Sequence, residues 1–430
     1  MSLLDGAFLI IIIPMSNELL HIQKTTHSSG LRVVTETIDS VRSLTVGIWI
    51  KTGSRNESVK VAGITHFLEH MLFKGTEKRT AFDIVQGIES VGGYLNAFTS
   101  SEYTCYYIRC LDTELEKALD VLFDMVQNST LPEEEITKEK KVVIEEMKMY
   151  RDNPDDYIFE EFTSQIFSQH PLGRPIIGYE ETVSAFTRQD LKEYVSQHYT
   201  ANNIIVAVAG NVEHESVLKL VNGHYTKANN GTGINDEKQI LTPYTPSSKT
   251  LTKAIEQTHF VVGRRSLAND DPNRYKLLLI NTILGGGMSS RLHQNIREKY
   301  GYCYSISSFN QAYTDTGMFG VYVGTDKEYV DHVKELIFEE FRKMRDDLVS
   351  DKELAEAKAQ LKGKLLLSQE SMSNRMTRLA KSEIYYDRYI TLDELVDEID
   401  KVQTTEIQEF SQLFFDQSLF SDTLLIPEDK

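Results

Sequence analysis

The same succession of elements can be read twice in this chain, on either side of residues 226–248 (TKANNGTGINDEKQILTPYTPSS). There Asn, Gly, Pro and Ser crowd together and apolar periodicity lapses, as in a linker. Before it, residues 31–36 (LRVVTE) and 43–51 (SLTVGIWIK) are β-branched runs bounded by polar turns, which predicts paired strands. Ile64, Phe67, Leu68, Met71 and Leu72 then follow the helical period on one face of a helix ending near Gly75. A second helix over 81–91, strands over 94–99 and 104–110, acidic helices over 113–128 and 132–150, and a strand over 203–209 complete this half. Beyond the linker come a strand at 259–263, a helix at 273–284, a Gly-rich turn, a strand pair near 302–309 and 318–323, then long helices. LPEEEITKEKKVVIEEM after Thr130 is loosely matched by LVSDKELAEAKAQLKGKL after Asp347. The chain therefore reads as an extension (1–21), a first domain (22–225), the linker (226–248) and a homologous second domain (249–430). Long helices beside meandering strands predict an α+β fold of two homologous domains, each a mostly antiparallel sheet packed with helices.

At 430 residues the chain is too long for one core, and at 40% hydrophobic it is too apolar for disorder. Its net charge of −18 repels phosphate backbones and anionic membranes, which argues against nucleic-acid and membrane partners. Three cysteines (Cys105, Cys110, Cys303) without a C-x-x-C pair give neither a disulfide scaffold nor a structural zinc site, so a reducing, cytoplasmic setting is expected. The apolar run at 8–14 (FLIIIIP) is far short of the ~20 residues of a membrane helix and lacks the basic flank of a secretory signal. Met15 is a candidate natural start.

The chemistry is carried by His66, Glu69 and His70, an H-x-x-E-H order inside the segment already read as helical. Residues four apart lie one turn apart on a single face, so both imidazoles can reach one ion. A pair of histidines on an amphipathic helix is ordinarily just surface or core. This five-residue pattern, however, is the order found in inverted zinc peptidases. Catalytic zinc takes three protein ligands, and Glu69 stands on the adjoining edge of the same face, placed to take a proton from the attacking water. A third ligand must come from elsewhere. Glu133, Glu134, Glu135, Glu139, Glu145 and Glu146 lie on one predicted helix, where Glu139, Val143, Glu146 and Tyr150 share a stripe. Spacing alone does not separate Glu145 from Glu146, and most of these carboxylates are solvated partners of Lys138, Lys140 and Lys141.

HFLEHMLFKGT (66–76), NAFTSSEYTCYY (96–107), EKKVVIEEMKMYRDNP (139–154) and SRLHQNIREKYGYCYS (290–305) together resemble the insulinase-like zinc metallopeptidase family, in particular bacterial relatives of mitochondrial processing peptidase. The similarity runs from about Ile22 onward. It implies Zn²⁺ held by His66, His70 and Glu146, with Glu139 as an accessory glutamate, Glu69 as general base and Glu145 as a bystander. It further implies that Arg297 and Tyr304 engage the substrate backbone near the scissile carbonyl. Asn96, Ala97, Phe98 and Thr99 resemble the family's edge strand, to which an extended peptide adds by main-chain hydrogen bonds.

The second half has no H-x-x-E-H and is expected to be catalytically silent, forming the other wall of a chamber and supplying Arg297 and Tyr304 across the cleft. Residues 285–287, three glycines, lack the spacing of a nucleotide cradle and read as a flexible turn that lets the halves approach. The resemblance also implies a homodimer. The expected function is zinc-dependent endopeptidase activity on extended or unfolded peptides, with the acidic balance favouring basic, presequence-like ones. The rivals are a catalytically idle scaffold or assembly subunit of the same family and a small-amide or thioether hydrolase with the same motif.

Overall fold

The computed structural model describes residues 21–226, 241 and 243–428. Nearly all of the expected N-terminal extension and most of the expected linker lie outside them. Six strands form the first sheet: β1 (Ile22–Thr26), β2 (Arg32–Thr37), β3 (Ser43–Ile50), β4 (Tyr94–Thr99), β5 (Thr104–Leu111) and β6 (Ile204–Gly210), in the order β1-β2-β6-β3-β5-β4. Five form the second: β7 (Ser248–Lys253), β8 (Thr258–Ser266), β9 (Cys303–Ala312), β10 (Gly317–Thr325) and β11 (Ser421–Pro427), in the order β7-β11-β8-β10-β9. Each sheet is antiparallel except for one pair, β2 with β6 and β11 with β7, so the fold is α+β with two mostly antiparallel sheets. No helix among the described residues is long and apolar enough to cross a membrane.

In the first half the helices are α1 (Ile64–Met71), α2 (Ala81–Glu89), α3 (Leu115–Asn128), α4 (Glu133–Asp152) and α5 (Pro154–Ile166). One face of the first sheet packs on α1, α2 and α3 through Ile64, Phe67, Leu68, Ile84, Leu119 and Leu122. Its other face is covered from the second half. Met376, Leu379, Ala380 and Ile384 of the helix Met372–Tyr386 pack on Val34, Trp49, Cys105 and Ile205, and the Trp49 indole N–H donates to Met376 Sδ at 3.0 Å. The exchange is mutual. Ile158, Phe162 and Ile166 of α5 pack on Val261, Met318, Tyr322 and Leu425 of the second sheet. A sheet with two apolar faces needs a layer on each, and each half completes the other.

A polar clasp joins the same two halves. Arg55 donates to Glu102 at 2.5 Å and to Asp315 at 2.9 Å, and Glu102 also accepts from the Thr314 N–H at 3.1 Å and the Tyr385 hydroxyl at 2.9 Å. Residues 100–103, the β4–β5 turn, are thereby tied to the β9–β10 turn.

Two segments differ from the sequence expectation. The end of the expected linker is not loose chain: the Tyr244 hydroxyl is 2.7 Å from Ser421 Oγ, Gln165 donates to the Ser247 carbonyl at 2.7 Å, and β7 begins at Ser248. The glycine run does not begin as a flexible turn either, because Gly285 ends the helix Arg274–Gly285 pressed against β9. A Cβ there would sit 2.1 Å from Ser308 N, so close packing, not mobility, is what excludes a side chain.

The N-terminus of α1 is equally constrained. Gly63 has φ +91°, and a Cβ on it would lie 2.5 Å from the Ile177 carbonyl oxygen. Buried Glu57 then caps the helix, accepting the Gly63 N–H at 2.7 Å and the Thr65 N–H at 2.9 Å. Burial raises its carboxyl pKa to about 7 against the pull of those bonds and of Arg174.

Two outcomes follow. Phe162→Ala should cost about 3–5 kcal/mol and lower a single thermal transition for the whole chain. Two transitions, with only the earlier one moved, would show independent halves. A carboxyl whose folded pKa lies above its unfolded value favours the folded state fully below the unfolded value. That contribution is lost as pH rises through about 7. Across this window wild type should lose about 3 kcal/mol relative to Glu57→Gln, measured by denaturant melts at each pH.

Candidate metal centre

Because Ile64, Phe67, Leu68 and Met71 turn into the core, the helical period leaves His66, Glu69 and His70 on the opposite face of α1. The two imidazole centroids are 4.8 Å apart. Across them runs α4, whose buried Val143 sets its rotation and presents Glu139 and Glu146 to α1 two turns apart. Glu146 Oε1 lies 3.8 Å from His66 Nε2, and Oε2 lies 3.5 Å from His70 Nε2. Glu139 accepts from His70 Nδ1 at 3.1 Å and is 2.6 Å from Lys74 Nζ. Donation from Nδ1 leaves the Nε2 lone pair of His70 aimed at the site. Glu145 faces away: its side chain is 69% exposed and bonds Lys148 at 2.7 Å.

The donor set fits zinc. Three ligands of a tetrahedral zinc stand about 3.3–3.5 Å apart, and the ligand atoms of His66, His70 and Glu146 all lie within 4.8 Å of one another. His66 Nε2 is the nitrogen that faces Glu146, and its buried Nδ1 has no hydrogen-bond partner among the described residues. Burial, and then the neighbouring His70, hold the His66 pKa down at about 3, which keeps the ring neutral. Burial also raises Glu146, with Glu139 adding to the rise and His70 opposing it. A dication between the two imidazoles and these carboxylates would offset that desolvation cost of the carboxylates.

Glu69 shares the cavity, which has a volume of about 590 Å³. Its pKa is raised by burial, against a hydrogen bond of 2.6 Å from the Thr99 hydroxyl to Oε2. The expected edge strand is β4, one of the sheet's two outermost strands, and Ala97, Phe98 and Thr99 line the cavity. Asn96 does not line it; its amide donates to the Tyr94 hydroxyl at 2.7 Å.

Arg297 and Tyr304 are not brought to these groups. They line a separate cavity of about 370 Å³ with Gln257 and Asp326, and Tyr304 is 75% exposed. The Arg297 guanidinium carbon lies 6.0 Å from the Tyr304 ring, and Nη1 is 2.6 Å from His293 Nε2. The second half instead reaches the metal cavity with Gln311, Tyr313 and Met318. Sequence reasoning also missed Asp156 and Glu160, two carboxylates one turn apart on α5 that line the cavity, and the role of the Thr99 hydroxyl. The spacing of four behind Asn153-Pro154 was the available signal for the carboxylate pair.

Metal titration with a competing chelator checks the assignment. Glu146→Gln should weaken zinc binding most, Glu139→Gln about 10–100-fold, and Glu145→Gln not measurably. Loss of zinc by Glu145→Gln alone would place the ligand one residue away.

Known proteins give an independent comparison. The family model described as Insulinase (Peptidase family M16) matches residues 32–180, and that described as Peptidase M16 inactive domain matches residues 185–361. The chain is 39% identical over 397 residues to "Uncharacterized zinc protease YmxG" of Bacillus subtilis, covering 92% of this chain and 96% of that one. It is 38% identical to an uncharacterized zinc protease of Streptomyces coelicolor, covering 90% and 86%. Its fold is that of a protease from Helicobacter pylori, with TM-score 0.85, 24% identity and coverage of 94% and 99%. A Pseudomonas fluorescens structure described as a peptidase M16 inactive domain gives TM-score 0.87 at 19% identity, covering 95% and 98%. With two family models spanning most of its length and relatives this similar end to end, the chain belongs to the insulinase family, peptidase family M16.

Proposed function

We propose that this chain is a zinc-dependent endopeptidase of the inverted H-x-x-E-H type, acting on extended or unfolded peptides. The observation that carries the reading is the convergence of His66, His70 and Glu146 beside Glu69 in a cavity bordered by the open edge of β4. The relatives' names as zinc proteases agree with it. Zinc at this triad would supply Lewis acidity, polarising a peptide carbonyl and acidifying water near neutral pH. Thr99 fixes Glu69 Oε2 and leaves Oε1 to accept the proton and pass it to the leaving amine. A carboxyl raised by burial suits that exchange at neutral pH. The outer edge of β4, where the Ala97 N–H now bonds Asn96 Oδ1 at 2.9 Å, would hold the peptide backbone, which requires an unfolded segment. Asp156 and Glu160 support a preference for a basic side chain near the cut, as in presequence-like segments. Three buried, unpaired cysteines accord with a cytoplasmic setting.

The separation of Arg297 and Tyr304 from the metal cavity supports a homodimer in which a second copy brings them to the site. Glu69→Gln should keep zinc and lose turnover of a quenched peptide by 10²-fold or more, order of magnitude, and a chelator should abolish turnover by wild type. Co-expressing Glu69→Gln with Tyr304→Phe then tests the pairing. In a mixed dimer one site joins an intact Glu69 to the other copy's intact Tyr304, so activity should recover above either variant alone. No recovery would mean that Tyr304 acts within its own chain or not at all.

A further inference from the structure

A second cavity, of about 630 Å³, shares Ser101, Ile176, Gln311 and Tyr313 with the metal cavity and so continues it past the end of β4. Its walls differ in chemistry. Where the metal cavity is lined by Glu69, Glu146, Asp156 and Glu160, the second is lined by tyrosines and by Arg378 and Lys381 of the helix Met372–Tyr386. Lys381 Nζ is presented over the Tyr103 ring at 5.5 Å and has no carboxylate partner among the described residues. Arg378 is held beside it, donating to the Ile390 carbonyl at 2.7 Å and lying over the Tyr389 ring at 4.7 Å. The one carboxylate in this wall, Glu102, is already answered by Arg55, the Thr314 N–H and the Tyr385 hydroxyl.

An independent feature points to a ligand here. Gln369 lines the cavity, is only 7% exposed, and its solvent-shielded side-chain oxygen has no hydrogen-bond partner among the described residues. Its amide nitrogen donates to Ser368 Oγ at 2.9 Å, and Ser368 donates onward to the Leu365 carbonyl. This chain of donors fixes the amide orientation and leaves an orphan acceptor, the complement of a peptide N–H.

We propose that this second cavity is a subsite for a carboxylate on the flank of the bound peptide, read by Lys381, with Gln369 accepting a backbone N–H of the same segment. The inference rests on the peptide-binding reading above and gives it a charge pattern. An extended chain lying along β4 would meet acidic walls at the metal and a basic wall beyond Ser101. The carboxylate comes either from the peptide's C-terminus or from an Asp or Glu side chain.

The test is binding, so that turnover remains a separate readout. The protein is the full chain carrying Glu69→Gln, loaded with zinc. The probes are fluorescein-labelled peptides of about ten residues, which extended span about 33 Å. One has a free C-terminus and no acidic residue, its twin is amidated, and an amidated series places a single Asp at each position in turn. Fluorescence anisotropy should show either the free-acid peptide or one member of the Asp series binding about fivefold tighter than the amidated twin. Adding Lys381→Gln should erase that preference, while Lys381→Arg should retain it. Gln369→Leu should weaken all the peptides alike, since they share the backbone. Equal binding of every probe, or a preference that survives Lys381→Gln, would overturn the proposal. Wild-type turnover of the amidated twin separates the two claims. Cleavage without carboxylate preference would leave the peptidase reading standing and remove the subsite. Carboxylate-dependent binding without cleavage would do the reverse.

Discussion

The geometry of the metal centre depends on the mutual burial of two helices, each completing the sheet of the other half. α5 lies against the second sheet through Phe162 and its neighbours, and the helix Met372–Tyr386 lies against the first through Met376 and Leu379. α5 follows α4 with a single residue between them, Asn153, whose side chain caps α5 by accepting the Asp155 N–H at 3.2 Å. Anchoring α5 therefore holds the C-terminal end of α4, and with it the rotation that aims Glu139 and Glu146 at α1. On the opposite side, Arg55, Glu102 and Asp315 fasten the turn that follows β4. The C-terminal end of α4 and the turn after the edge strand are thus both steadied by contacts made outside their own half.

Electrostatics divide this structure into a costly site and its supports. Burial penalises the charged forms of His66, Glu69 and Glu146; a cation would offset that cost for the two carboxylates and would keep His66 neutral. Around them, Glu139 is steadied by Lys74 and by the His70 ring, and Glu57 caps α1 from beneath. The site accordingly carries unfavourable desolvation, while its surroundings carry the favourable hydrogen bonds, as expected of a preorganised centre.

Much of this was legible in the sequence, and the limits have physical causes. Alternation and period placed α1, α4 and β4 within a few residues of their observed ends, because those elements pack on their own half and their patterns report it. The stripe of Glu139, Val143, Glu146 and Tyr150 follows from helical geometry alone, and buried Val143 shows why it faces inward. Choosing Glu146 over Glu145 needed the family resemblance, since the rotation of α4 is set by tertiary packing that spacing does not encode. The interlock was not legible at all. An apolar face on α5 looks the same whether it covers its own sheet or another, and the duplicated pattern suggested two self-contained units. The glycines at 285–287 were read through conformational freedom, whereas contact with Ser308 is what requires the first of them. Arg297 and Tyr304 were assigned by resemblance, and no sequence pattern could state that the fold keeps them in a cavity apart from His66, His70 and Glu146.

The central claim is that His66, His70 and Glu146 form one zinc site, and X-ray absorption at the zinc edge on the purified full chain tests it most directly. One zinc per chain is expected, with two imidazole nitrogens at about 2.0–2.1 Å and carboxylate oxygen at about 2.0–2.2 Å, and no sulfur. In His70→Ala the imidazole contribution should fall and the stoichiometry collapse. A spectrum with sulfur ligands near 2.3 Å, or one unchanged by His70→Ala, would contradict it.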